Sequence, residues 1–493
     1  MKADVAVPPL TRGVRTAFGI GAVADGVKNT AFSTYLLLYF NQVLGVPAGI
    51  VSSAIALTLI VDALFDPLIG RLSDLTRSPW GRRHPFIFGS ALPTGLFFAL
   101  TWFPPRGLTD FEMGAWIFGF ASLARVAMSA YQVPANALGS ELTQDYAERT
   151  KVYALRTWFA YAGTFAFGAI ALKVIFHATP DYPQGQLNPA SYPAFALTAT
   201  TLIVGTILIC GLGTRSRIKY LRQAEAREGG GLFLHLKEMG AAFRNRAFLT
   251  VFGFAVLKWT AIGLYGATSL YFGTYVYHLT AGQLALLTLD GFVAVCIALP
   301  LAPIFTRWWG KRNTALWMAG LGVTLGTAPL WLTYLDLFFP PGHPLLLPTL
   351  LLVGAVYGAM VAISLMMTSS MLADVVEDDA VRSGQHNAGI YFAASSFSVQ
   401  ASAGLGIFTA GLVLEASHFP AKVDPAAVTR AMTDNLIAHY VPSVMALWWI
   451  GCLVIWFYPI TEAKHLANVE RLRAREAEAR ARELQDAPIG ATR

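Results

Sequence analysis

Twelve times along the chain, blocks of about 20 or more residues run with almost no charge, too much apolar length for a soluble fold to keep from water. They fall near 16–41, 49–72, 85–104, 113–139, 152–177 and 192–213, then 248–276, 282–305, 314–337, 346–373, 388–416 and 436–459. Each is long enough to cross a hydrocarbon core of roughly 30 Å as a helix. In such a core every backbone N–H and C=O must be paired internally, which leaves helices or closed barrels. Barrel strands would alternate apolar and polar residues, and these blocks do not. Composition agrees: 55% of residues are hydrophobic and 13% charged, where a soluble domain carries roughly a quarter charged. The expected fold class is an all-α membrane protein with twelve transmembrane helices.

The formal charge of +7 could suggest nucleic acid, but its distribution excludes that partner. Lys and Arg collect at the N-terminus, in every second loop and in the C-terminal tail. Arg106, Lys173, Lys422 and Arg430 fall in the opposite loops, and Lys28, Arg125, Arg156 and Lys258 inside spans. The positive-inside rule then puts both termini in the cytoplasm of a cell that holds the protein in its inner membrane. That requires an even number of crossings. The first block follows Lys2, Arg12 and Arg15 and is too long and polar for a cleaved signal peptide, so it is expected to remain. Cys210, Cys296 and Cys452 lie in three different spans with no metal-ligand partner at useful spacing, and read as small apolar fillers.

The longest polar interval between spans, 214–247, carries Arg215, Arg217, Lys219, Arg222 and the run Gly229-Gly230-Gly231. It divides the chain into an N-terminal half (1–213), a cytoplasmic linker (214–247), a C-terminal half (248–459) and a helical tail (460–493). Landmarks repeat between the halves. Trp80-Gly81-Arg82-Arg83 recurs as Trp309-Gly310-Lys311-Arg312, and the run from Glu141 to Thr150 matches that from Asp374 to Ser383 in register. The two offsets nearly coincide, as a duplicated six-plus-six chain requires, and such a chain works by alternating access around a mid-membrane site. The tail, rich in Glu, Arg and Ala, reads as a solvated helix, with a partner-binding element as the alternative.

An ionisable side chain inside a bilayer is expensive and therefore a functional candidate. Asp62 and Asp66 stand at i,i+4, one turn apart on one helical face, where two carboxylates can share a proton or hold a cation. A structural salt bridge, or a helix break by Asp66 with Pro67, is the competing reading. Asp25 and Lys28 stand at i,i+3 and either neutralise each other or touch substrate. Arg125, in mid-span, needs an anion: an anionic substrate, or Asp62 or Asp66. Arg156 lies beside Trp158 and Tyr161, and Lys258 beside Trp259. Aromatic faces next to hydrogen-bonding groups suit sugar rings, although aromatics in spans more often pack or face lipid.

Arg82, Arg83, Arg149, Arg312 and Arg382, with Asp74, Glu141, Asp145, Glu148, Asp374 and Asp378, read as a gate of ion pairs across the cytoplasmic mouth, or as plain positive-inside anchors. No phosphate-binding loop, zinc-spaced His/Cys cluster or nucleophile elbow occurs, so neither an ATP-driven pump nor a conventional enzyme is indicated, and no cofactor is expected.

The run from Asp66 to Phe86, with Ala137 to Thr150 and Arg382 to Phe397, resembles the glycoside–pentoside–hexuronide:cation symporters of the major facilitator superfamily. The resemblance implies two pseudo-symmetric six-helix halves and import of a glycoside or related solute driven by sodium, lithium or protons. By position it makes Asp62 and Asp66 the cation-site carboxylates and Arg156 a substrate-side arginine. Where family members have a fourth-span carboxylate this chain has Val126, and where they have an eleventh-span lysine it has Gln400. The candidate substrate-binding set is thus Asp25, Lys28, Arg125, Arg156, Trp158, Lys258 and Gln400. A sodium ion needs a cage of oxygens that Val126 and Arg125 fail to complete, so a proton is the expected coupling ion, with sodium as the alternative. The expected partners are a glycoside, a coupling cation and the lipid bilayer, with the protein as a monomer. Cation-coupled transport of a lysophospholipid or other amphiphile is the second reading, and a non-transporting receptor or scaffold the third.

Overall fold

The computed structural model of the protein describes residues 8–143, 145–221, 243–383 and 388–486. Most of the 214–247 linker, the end of the tail and residues 384–387 of the third resemblance motif lie outside the described residues. Every regular element among the described residues is helical. Among the described residues, nine helices are long and apolar enough to cross a membrane.

The chain begins with α1 (Arg12–Ile20) and α2 (Val23–Thr30), then continues through wider π turns at Ala31–Tyr35 and Tyr39–Val43. There follow α3 (Ala48–Leu75), α4 (His84–Thr101), α5 (Asp110–Glu141), α6 (Tyr146–Ile170) and α7 (Tyr192–Thr214). Beyond the linker come α8 (Arg246–Tyr271), α9 (Ala281–Leu287), α10 (Asp290–Tyr334), α11 (Leu346–Ser383), α12 (Ala388–Ala416), α13 (Arg430–Trp456) and the tail helix α14 (Glu462–Asp486). Side chains fix several starts by satisfying orphan N–H groups. Thr109 and Glu112 form a capping box at α5, Asp145 accepts from the Glu148 N–H at 2.7 Å at α6, and Asn245 accepts from Ala247 and Phe248 at α8.

The repeated landmark carries a positive-φ glycine in both copies. Gly81 and Gly310 both adopt φ 73°, a region that favours glycine. Gly310, at ψ 164°, breaks the 45 residues of α10 into two helices, at the place where the apolar blocks 282–305 and 314–337 separate.

α3 and α4 pack on α5, α4 on α7, and α2 on α6; beyond the linker α8 packs on α12 and α13, and α10 on α11 and α13. The two groups meet where α3 lies along α12 and Ala31–Tyr35 lies along α8. Small residues permit this approach: a Cβ on Gly411 would fall 1.9 Å from Ser52 Oγ, and one on Gly404 2.8 Å from Leu59.

At the end away from the linker, polar side chains, most of them buried, tie the groups together. The Tyr271 hydroxyl donates to Asn41 Oδ1 and the Tyr275 hydroxyl to Gln42 Oε1, both at 2.9 Å. Gln42 Nε2 donates to the Pro420 carbonyl at 3.1 Å, Gln186 Nε2 to Thr274 Oγ1 at 2.8 Å, and the Gly49 N–H to Glu415 Oε1 at 2.9 Å.

Candidate site between the two helix groups

Asp62 is 4% exposed and accepts a hydrogen bond from Ser129 Oγ of α5 at 2.7 Å. Its other oxygen faces Arg125 Nη1 at 3.8 Å, and the Arg125 guanidinium lies 5.1 Å from the centre of the Phe32 ring. One turn further along α3, Asp66 Oδ2 accepts from Gln400 Nε2 of α12 at 3.0 Å, while its buried Oδ1 has no hydrogen-bond partner among the described residues. On α2, Lys28 pairs with Asp25 at 3.4 Å. These groups sense one another: Asp62 and Lys28 act electrostatically on Asp66, and Asp62 and Asp25 on Arg125.

The cluster therefore gathers α2, α3 and α5 from one group and α12 from the other. Of the residues expected from sequence, Asp25, Lys28, Asp62, Asp66, Arg125 and Gln400 meet here. Arg156 is buried nearby on α6, with its Nε bonded to Asn136 Oδ1 at 3.0 Å and its guanidinium over the Phe18 ring. Trp158, on the same helix, is 56% exposed. Lys258 stands apart, bonding the Ser364 carbonyl and Thr368 Oγ1 of α11 and lying over Phe254. Ser129 and Phe32 belong to the cluster and carried no sequence signal of their own: a hydroxyl and a ring are ordinary in a span.

The expected gate charges pair within each group rather than across the mouth. Arg82 and Arg83 both reach Glu141 and Asp74. Asp145 caps α6, and Arg149 Nη2 donates to the Thr143 carbonyl at 3.4 Å. Beyond the linker, Lys311 holds Asp374 at 2.7 Å, and Asp378 takes Arg382, Lys464 and Asn468. Among the described residues no ion pair joins the two sets. The Asp378 contacts, with His465 to Asp374 and Glu377, dock the tail helix onto α11, so its first turns are held against the bundle rather than fully solvated.

This fold matches solved transporters. The crystal structure of a D-xylose-proton symporter superposes with a TM-score of 0.60 at 14% identity, covering 92% of this chain and 98% of that one. The two chains thus share a fold. Residues 17–462 match the model of a family described as MFS/sugar transport protein, and the chain belongs to that family. Among curated relatives, the symporter sll1374 of Synechocystis is 26% identical, over 94% of this chain and 96% of its own. The isoprimeverose transporter of Lactiplantibacillus pentosus is 24% identical, over 94% and 92%. The protein is a multi-pass membrane transporter and not an enzyme.

Proposed function

We propose that this protein carries a glycoside or related sugar together with a monovalent cation, by alternating access between its two helix groups. The observation that carries the reading is the unequal occupation of the two carboxylates Asp62 and Asp66. Asp62 is held by Ser129 and Arg125, whereas Asp66 has Gln400 on one oxygen and a buried second oxygen with no hydrogen-bond partner among the described residues. A single bound cation at Asp66 neutralises that carboxylate at the surface where the groups meet. Since an uncompensated charge in such a place costs several kcal/mol, the loaded and empty states differ enough to bias a rocking motion.

The donor set favours a proton over sodium. Asp62 already accepts from Ser129 and faces Arg125, so few oxygens remain for a sodium cage. Asp66 Oδ1, buried and without a partner among the described residues, offers one place for a proton. Gln400 ties that carboxylate to α12, which links protonation to the contact between the groups.

In this reading the chain crosses the inner membrane twelve times, with halves at 1–213 and 248–459, both termini and the 214–247 linker in the cytoplasm, and the Asn41–Gln42 contacts sealing the outer side. A thermal-shift screen of the purified protein against glycosides, hexuronates and lysolipids, followed by counterflow in proteoliposomes with any hit, tests the substrate class. Exchange of a labelled glycoside is expected. Exchange of lysolipid alone would replace sugar by an amphiphile, and binding without exchange would make the protein a receptor.

A further inference from the structure

A cavity of about 120 Å³ lies inside the C-terminal helix group, among α8, α10, α11 and α13. Its lining includes one carboxylate, Asp290, and no Lys, Arg or His among the described residues. Four phenols, Tyr265, Tyr277, Tyr357 and Tyr440, face the same space. Tyr265 and Tyr357 meet edge to face with centroids 6.0 Å apart, and Tyr440 packs on Phe272 at 4.5 Å.

Two features mark this as a built pocket rather than a packing defect. Tyr277 is 6% exposed, and its buried hydroxyl has no hydrogen-bond partner among the described residues. A native interior rarely leaves such a group unpaired unless something else completes it. Gly354 makes room for the acid: a Cβ there would stand 2.2 Å from Asp290 Oδ2. The cavity also lies beside the other helix group, since a Cβ on Gly291 would fall 2.6 Å from the Phe165 ring of α6.

The chemistry selects the occupant. A half-buried carboxylate in a largely apolar lining, with no cation beside it among the described residues, is costly to keep ionised, and a neutral polyol would leave its charge uncompensated. The start of α10 supplies only the partial positive charge of a helix end. Aromatic faces around a single carboxylate are the arrangement that holds an organic ammonium: the rings attract the cation through their quadrupoles and the acid balances its charge. An apolar cavity of roughly 150 Å³ accepts benzene, which sets the size of ligand that fits.

We propose that the Asp290 pocket binds a small organic ammonium cation, at a site separate from the Asp62–Asp66 cluster. The assignment does not rest on the identity of the transported sugar. It makes the C-terminal group a second ligand-binding body, with the occupant next to the surface on which the groups move.

Equilibrium binding to the full-length purified protein tests this, with tetramethylammonium as the probe and tert-butanol as its uncharged counterpart of similar shape. Saturable binding of tetramethylammonium is expected, at least tenfold tighter than tert-butanol, with a loss of tenfold or more in Asp290→Asn and a comparable loss in Gly354→Ala. Asp62→Asn should leave it unchanged. Tyr277→Phe, which keeps the ring and its packing, serves if Asp290→Asn fails to fold, and should weaken binding less than the Gly354 variant does. Equal affinity for the two probes, no saturable binding of the cation, or binding indifferent to both Asp290→Asn and Gly354→Ala would overturn the proposal.

Discussion

Asp66 touches both halves of the transport problem: one oxygen is held by Gln400 of α12, and the other is buried with no hydrogen-bond partner among the described residues. Asp62, a turn away, is more fully occupied, between Ser129 and Arg125. Arg125 Nη1 lies 3.8 Å from Asp62 Oδ2, while its buried Nε has no hydrogen-bond partner among the described residues. Taking away one partner of a buried pair typically costs about 3–5 kcal/mol, because the other charge is left unmatched. Arg125→Gln is therefore expected to uncouple uptake from the ion gradient while sugar exchange persists, as counterflow compared with gradient-driven uptake would reveal. Intact ion dependence with selectively weaker anionic substrates would make Arg125 a substrate residue instead. At this scale the acids and Arg125 were legible because a charge in an apolar run stands out. Ser129, Asn41 and Gln42 were not, since hydroxyls and amides are common at span ends and only the fold shows which of them become partners.

Among the elements, α10 and α11 show what hydropathy can and cannot locate. The apolar block ends near 373, but α11 stays helical to Ser383, and Asp374, Glu377 and Asp378 on that extension hold Lys311 and the tail helix. The Trp-Gly-basic-Arg repeat was legible, and its glycines share the same positive φ of 73°. A side chain at φ 73°, ψ 164° is strained by about 1–3 kcal/mol. Gly310→Ala should lower the midpoint of thermal unfolding, while Gly282→Ala, a helical glycine with open space around its Cβ position, should not. Equal melting of the two variants would mean that the break in α10 does not depend on glycine.

For the whole molecule, the sequence disclosed two similar halves but not which contacts join them, because charge spacing cannot say whether two loops pair with each other or with themselves. The structure joins the groups at the end away from the linker through uncharged Asn41, Gln42, Tyr271 and Tyr275, and along α3 and α12 through Gly404 and Gly411. Gly411→Val places methyl groups where Ser52 already sits and is expected to hold that end apart. Its signature would be faster thiol labelling of Asn41→Cys in the Gly411→Val background than in the parent. Unchanged labelling would show that the seal does not need α3 and α12 to touch there.

The central claim, that the Asp62–Asp66 pair couples a cation to sugar movement, is tested most directly in proteoliposomes carrying the sugar identified by the binding screen. Uptake is followed under an imposed pH gradient or an imposed sodium gradient, with the voltage clamped by potassium and valinomycin. Accumulation above equilibrium under the pH gradient is predicted for the wild type, and none for Asp62→Asn or Asp66→Asn. Accumulation by sodium alone at symmetric pH would contradict the proton assignment, and wild-type accumulation by both variants would contradict the coupling role itself.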